Sequence, residues 1–260
     1  MFFSAKHIDI KLKQDMASHT FSDNGKGALL ICDGIGEYSK SGVVANLTIQ
    51  RFLEAPFDSM INLVSKVKSE IDKNGIEGGT TLLSAKEQNE NLLIEYLGNG
   101  GIIHLHGDYA INMNSDEPYR YCELMLPHVA PNGALTRHLS HQGGKNETSP
   151  SQLLTNLNYI TGNIIILFSD GICSIEEKVI IRDNKSRVWR NENVALQLIL
   201  KKLDYFLSNI SEKHYFQENL VDFNEFILKE LKSQNLLEDD ASLGFVITES
   251  VLDFYISRND

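Results

Sequence analysis

The chain has 260 residues and a formal net charge of −11, a balance that speaks against a nucleic-acid-binding surface. Its apolar fraction of 42% and charged fraction of 23% are those of an ordinary globular protein, and no apolar run approaches the roughly 18–20 residues that a membrane-spanning helix needs. Three cysteines (Cys32, Cys122 and Cys173) lack metal-ligand spacing; without a basic-then-apolar leader, the expectation is reduced thiols in a cytoplasmic protein.

Residues 5–15 alternate, with Ile8, Ile10 and Leu12 on one face, which predicts a half-buried strand leading into Gln14-Asp15. The Ser22–Gly27 stretch is a turn, and Leu29–Cys32 reads as a strand buried on both faces. Asp33-Gly34-Ile35-Gly36 follows where that strand must stop. Residues 41–57 and 59–74 carry apolar stripes at helical spacing and end at Pro56 and Gly75. Strands are predicted over 78–85, 92–98 and 102–106, the last two adjacent around Asn99-Gly100-Gly101, with 109–113 continuing the meander. His104 and His106 share one strand face and are read as outward-facing.

Residues 114–151 are rich in Pro, Gly and Asn and hold His128, His138 and His141, the composition of a flap carrying substrate choice. A short helix or turn is expected over 149–158. Ile164–Phe168 is a second fully buried strand ending in Ser169-Asp170-Gly171. A polar excursion around 182–187 precedes helices over 192–209 and 220–234. Asp239-Asp240 then opens a strand over 243–248, and 251–257 is read as an added edge strand. With neither repeat nor low-complexity linker, residues 1–260 are expected to form a single domain of two stacked antiparallel sheets with helices outside.

The recurrence of aspartate at strand ends carries the chemistry. Asp33 and Asp170 stand at strand exits and Asp239 at a strand entrance. Each alone is a turn former. Brought together, the three carboxylates repel unless cations lie between them, and oxygen ligands without His or Cys suit Mg²⁺ or Mn²⁺ better than zinc.

In order along the chain, several short motifs resemble the metal-dependent type 2C (PPM) serine/threonine protein phosphatases in their bacterial form. Gln14-Asp15 resembles the N-terminal Asn-Glu-Asp motif, and Asp33-Gly34-Ile35-Gly36 resembles Asp-Gly-Met-Gly. Gly78-Gly79-Thr80-Thr81 is similar to the Gly-Thr-Thr strand start, and Gly98-Asn99-Gly100 stands where the family has Gly-Asp-Ser. Leu135-Thr136-Arg137, Ser169-Asp170-Gly171 and Asp239-Asp240-Ala241-Ser242 resemble the flap segment, Ser-Asp-Gly and Asp-Asn-x-Thr.

The resemblance implies an α+β fold, a four-layer α-β-β-α sandwich of two antiparallel sheets flanked by helices. It also implies hydrolysis of phosphoserine or phosphothreonine by a water held between two Mn²⁺ or Mg²⁺ ions. Asp33 is then expected to bridge both ions with the Gly34 carbonyl on one, and Asp170 and Asp239 to ligate the other. Asp15 is expected to orient metal-bound water, a role that Asp240 could share. The expected partner is a phosphorylated protein, opposing a Ser/Thr kinase, with no nucleic acid and no membrane.

The chain departs from the family in two places. No arginine lies upstream of the acidic motif, so Lys11 or Lys13 must contact the substrate phosphate, as a poorer bidentate clamp. Asn99 replaces an aspartate that helps to hold a third ion, so that ion is expected to bind weakly here. These departures support an alternative of another class, a pseudophosphatase or phosphoprotein-binding regulatory module.

Overall fold

A computed structural model describes residues 1–89, 91–106, 121–141, 148–156, 162–173, 175–183 and 186–259. The chain begins β1 (Phe2–Ile8), β2 (Met16–Phe21), β3 (Gly27–Gly34), α1 (Ser41–Glu54) and α2 (Met60–Lys73). There follow β4 (Gly79–Gln88), β5 (Asn91–Leu97), β6 (Gly101–His106), β7 (Tyr121–Glu123), β8 (Leu139–Ser140), β9 (Ser151–Asn156) and β10 (Asn163–Phe168). After a short 3₁₀ turn (Asp170–Ile172) come β11 (Ile175–Asp183), β12 (Ser186–Asn193), α3 (Val194–Ser208), α4 (Phe216–Ser233), β13 (Ala241–Ile247) and α5 (Glu249–Asn259).

One antiparallel sheet has the order β1-β13-β10-β6-β7, and a second has β2-β3-β4-β5-β9 with β8 paired to β4. Strands β11 and β12 form a separate hairpin. Alternate side chains along each central strand enter different cores. Leu29 and Ile31 of β3 meet Ile165 and Leu167 of β10 between the sheets. The intervening Leu30 and Cys32 pack under α1 and α2 with Val44, Phe52 and Val67. Ile164, Ile166 and Phe168 pack under the C-terminal helices with Ile199, Leu203, Ile227 and Leu252. The layers are therefore helix, sheet, sheet, helix, as the resemblance implies. Burial on both faces is why β3 and β10 read as unbroken apolar runs.

Several expected elements differ. The first strand ends at Ile8, so residues 9–15 are a loop, and Leu12 is 53% exposed rather than on a buried face. Strands β5 and β6 are not neighbours: β5 pairs with β4 and β9, and β6 pairs with β10 and β7 in the other sheet. Residues 98–100 are thus a crossing between sheets, made possible by Gly98 and Gly100 at φ of 120° and 113°. Residues 151–156 form an edge strand on β5 rather than a helix or turn.

The C-terminal segment is helix α5, not an edge strand. Val251, Leu252 and Tyr255 are buried at helical spacing. His104 is buried, with its Nε2 2.7 Å from Asn163 Oδ1, rather than facing outward. The predicted strand at 109–113 and the flap portions 114–120 and 142–147 lie outside the described residues.

Candidate active site

Two chain crossings and three strand ends meet at one end of the sandwich. The end of β1 pairs with the start of β13 (Ile8 opposite Ala241), and the start of β13 flanks the end of β10 (Leu243 opposite Phe168). From Ile8 the loop 9–15 crosses to the other sheet, where Met16 lies opposite Cys32 at the end of β3. The second crossing, at 98–100, enters β6 with Gly101 opposite Phe168. Asp33, Asp170, Asp239, Asp240 and Asp15 consequently line one pocket of about 160 Å³ together with Gln14, Gly34, Thr81, Asn99 and Leu135. These come from segments up to 225 positions apart in sequence, counting from Asp15 to Asp240.

The turn that presents Asp33 is fixed from below. Thr80 donates its hydroxyl to the Asp33 carbonyl at 3.0 Å, and the Ile35 amide donates to the Gly79 carbonyl at 3.0 Å. A side chain at Gly34 would place its Cβ 2.6 Å from Gln14 Cβ, so only glycine lets the crossing loop approach. Asp15 is buried and accepts a hydrogen bond of 2.9 Å from the Ser169 hydroxyl, which itself accepts from the Ser242 amide at 2.9 Å. Ser169 of the Ser-Asp-Gly motif thus holds Asp15, a link that sequence spacing cannot reveal because it joins two sheets.

The electrostatics are those of crowded carboxylates. Burial, only partly offset by the Ser169 hydroxyl, pushes the Asp15 carboxyl up to about 7. Burial and then the neighbouring charges of Asp15 and Asp170 raise Asp33 well above the usual carboxylate range. Among the described residues the pocket lining holds no basic side chain. Asn99 donates its amide to Asp170 Oδ2 at 2.5 Å, while its own amide oxygen is buried with no partner among the described residues.

Asp240 is differently employed. Its Oδ1 accepts from the backbone amides of Ile10 (2.6 Å) and Lys11 (2.7 Å), and its Oδ2 from those of Leu12 (3.2 Å) and Gln14 (2.9 Å). Burial acts to raise this carboxyl, but the four N–H groups outweigh it and hold the group below its ordinary value. The doubled Asp-Asp before a strand is the signal in the sequence, from which Asp239 is expected as a ligand and Asp240 as able to share the role of Asp15; both line the pocket. With both oxygens of Asp240 committed to the loop, Asp239 is the one of the pair whose carboxylate is not so engaged; among the described residues its Oδ1 accepts from the adjacent Asp240 amide, at 2.9 Å.

The two expected phosphate contacts are placed apart from the aspartates. Lys11 Nζ donates to the Glu238 carbonyl, and Lys13 lines a neighbouring groove; neither lines the aspartate pocket. The flap histidines are also elsewhere. His128 stacks on Tyr96 and accepts from the Gly98 amide at 3.1 Å, and His138 and His141 pack around Tyr38.

Among the described residues no group of three or more acidic, His or Cys side chains is already gathered to hold a metal ion. The donor chemistry nonetheless fits a hard divalent cation. Carboxylates without a basic counter-ion in the described lining, Asp33 raised first by burial and then by its acidic neighbours, stand beside the Gly34 backbone and an amide oxygen with no partner among the described residues.

The layered fold is shared with solved bacterial serine/threonine phosphatases. The serine/threonine phosphatase of S. agalactiae superposes with a TM-score of 0.63 at 14% identity, over 95% of this chain and 99% of that one. Stp1 of Staphylococcus aureus gives 0.61 at 13% identity over 96% of each chain. PppA, a regulatory component of T6SS in Pseudomonas aeruginosa, gives 0.54 at 14% identity over 95% of this chain and 99% of that one. No protein-family model matches the chain, and a search of curated proteins finds no match.

Proposed function

We propose that the chain is a metal-dependent protein serine/threonine phosphatase, a phosphoric monoester hydrolase acting in signalling. The observation that carries this reading is the convergence of Asp15, Asp33, Asp170 and Asp239 on one pocket without basic residues, in a fold shared with serine/threonine phosphatases. Asp33, the Gly34 carbonyl, Asp170 and Asp239 are the groups that would hold two Mn²⁺ or Mg²⁺ ions. The chemistry such ions supply when bound is neutralisation of phosphoryl charge and a lowered pKa for the attacking water. Asp15, whose carboxylate accepts from the Ser169 hydroxyl, would orient that water. Water adds to phosphorus and the serine or threonine oxygen leaves with a proton, giving the free hydroxyl and inorganic phosphate. The substrate is a phosphoprotein made by a Ser/Thr kinase, and the setting the cytoplasm. With Asn99 donating to Asp170, a third ion is expected to bind weakly, if it binds.

A second reading, a phosphoprotein-binding module without turnover, is favoured by one observation: neither Lys11 nor Lys13 lines the pocket. Hydrolysis of a phosphothreonine peptide across a Mn²⁺ and Mg²⁺ titration separates the two, with cation binding followed by calorimetry. Turnover that depends on the ion and falls on the order of 100-fold in Asp170→Asn is the outcome expected of the phosphatase. Ion binding without turnover supports the binding module, and no ion binding overturns the roles given to the three strand-end aspartates.

A further inference from the structure

A groove of about 510 Å³ lies beside the aspartate pocket and shares Leu12 and Gln14 with it. One wall is the loop at 12–14, the other residues 39–50 at the start of α1, with Glu70 and Ile76 completing the lining. Its charge is the reverse of the pocket's. The basic side chains in its lining are Lys13 and Lys40. Its one acid, Glu70, is already gripped by Arg51 through Nε at 2.8 Å and Nη2 at 3.0 Å. Among the described residues neither Lys13 nor Lys40 has a side-chain ion pair or hydrogen bond, although both stand in a chain of net charge −11.

The groove is also held in shape. Asp240 holds the backbone amides of Ile10, Lys11, Leu12 and Gln14, and Lys13 between them sits at a φ of 57°, a left-handed conformation uncommon outside glycine. Exposed apolar surface lies among the lysines, with Leu12 at 53% and Val43 at 52%. Apolar walls, two unpaired ammonium groups and continuity with the aspartate pocket match an extended peptide that carries carboxylates.

We infer that this groove binds the polypeptide flanking the phosphoresidue, and that Lys13 and Lys40 select substrates with Asp or Glu near it. The inference rests on the phosphatase reading and adds the substrate class to it. Two partly exposed ion pairs provide about three- to tenfold in kcat/KM, expressed through KM.

The test uses the full chain with Mn²⁺ and two kinds of substrate. One is para-nitrophenyl phosphate, which has no flanks. The other is a panel of phosphothreonine peptides with Glu, Ala or Lys at the neighbouring positions on either side. The ratio of kcat/KM between Glu-flanked and Ala-flanked peptides is expected to be about three to ten, to shrink with added salt, and to fall to one or below in Lys40→Glu. Lys13→Asn is the companion variant, since asparagine tolerates the left-handed backbone, and it should lower the same ratio. Turnover of para-nitrophenyl phosphate with equal kcat/KM for all flanks overturns the groove assignment alone. No turnover of any substrate overturns the phosphatase reading, and the groove assignment with it.

Discussion

At the scale of single residues, Asp240 shows how one carboxylate at the edge of a site can organise the loop that walls it. Four backbone amides of the crossing loop converge on its two oxygens, and a charged acceptor contributes about 1.5–3 kcal/mol per hydrogen bond. Asparagine presents one acceptor oxygen, and its NH₂ would face two of those N–H donors. Asp240→Asn should therefore lower unfolding free energy by about 2–4 kcal/mol in urea titrations. It should also raise KM for peptides more than it lowers kcat, because the loop walls the groove. Unchanged stability would show that the amides find water as readily as the carboxylate. Asp33 and Asp170 are legible because a polar residue closing an unbroken apolar run stands out, and Asp239 because a doubled aspartate opens a strand. Asp240's task is not, since its partners lie more than 220 positions upstream and a backbone amide leaves no mark in sequence.

At the scale of elements, legibility follows burial. Strands β3 and β10 are covered on both faces and read as continuous apolar runs, and α1 to α4 show stripes because one side of each faces a sheet. Period-two alternation cannot say which of two sheets a strand joins, so the crossing at 98–100 leaves no mark in the pattern and β5 and β6 read as neighbours. Strand β9 was missed because it lies at an edge, with Leu154 58% exposed, and α5 because a helix of 11 residues with few apolar positions resembles a short strand. One buried tie holds the N-terminal helices to their sheet. Lys86 Nζ lies 2.5 Å from Glu95 Oε2, and Glu95 also accepts from the Met60 amide at the start of α2 and from Gln152 at 2.9 Å. Removing the cation alone leaves a fully buried carboxylate without its counter-charge, so Lys86→Met should cost about 3–5 kcal/mol. The double variant Lys86→Met/Glu95→Gln should recover part of that loss. If both denature at the same urea concentration, the pair is not coupled.

For the whole molecule, the acidic pocket makes stability depend on pH, and the proposed cation site would couple that dependence to divalent ions. Asp15 has a folded pKa of about 7 against an ordinary 3.8, so the folded state holds an extra proton between those values. Its contribution therefore falls as pH rises from about 4 to about 7, and Asp33, raised for the same reasons, acts in the same sense. His138 opposes this: burial lowers it to about 4, so its contribution is lost as pH falls from about 6.5 toward 4. The informative quantity is the difference between parent and Asp15→Asn in metal-free buffer. Melting temperature should fall with rising pH more steeply in the parent, and parallel curves would refute the raised Asp15. The proposed divalent ions would bind the ionised pocket, so Mn²⁺ should raise the parent's melting temperature more at pH 7.5 than at pH 5. At 100 times Kd the gain is about 2.7 kcal/mol, about 5–10 °C for a chain of this size. Asp170→Asn should lose most of it. A shift of equal size at both pH values would place cation binding on groups other than these carboxylates.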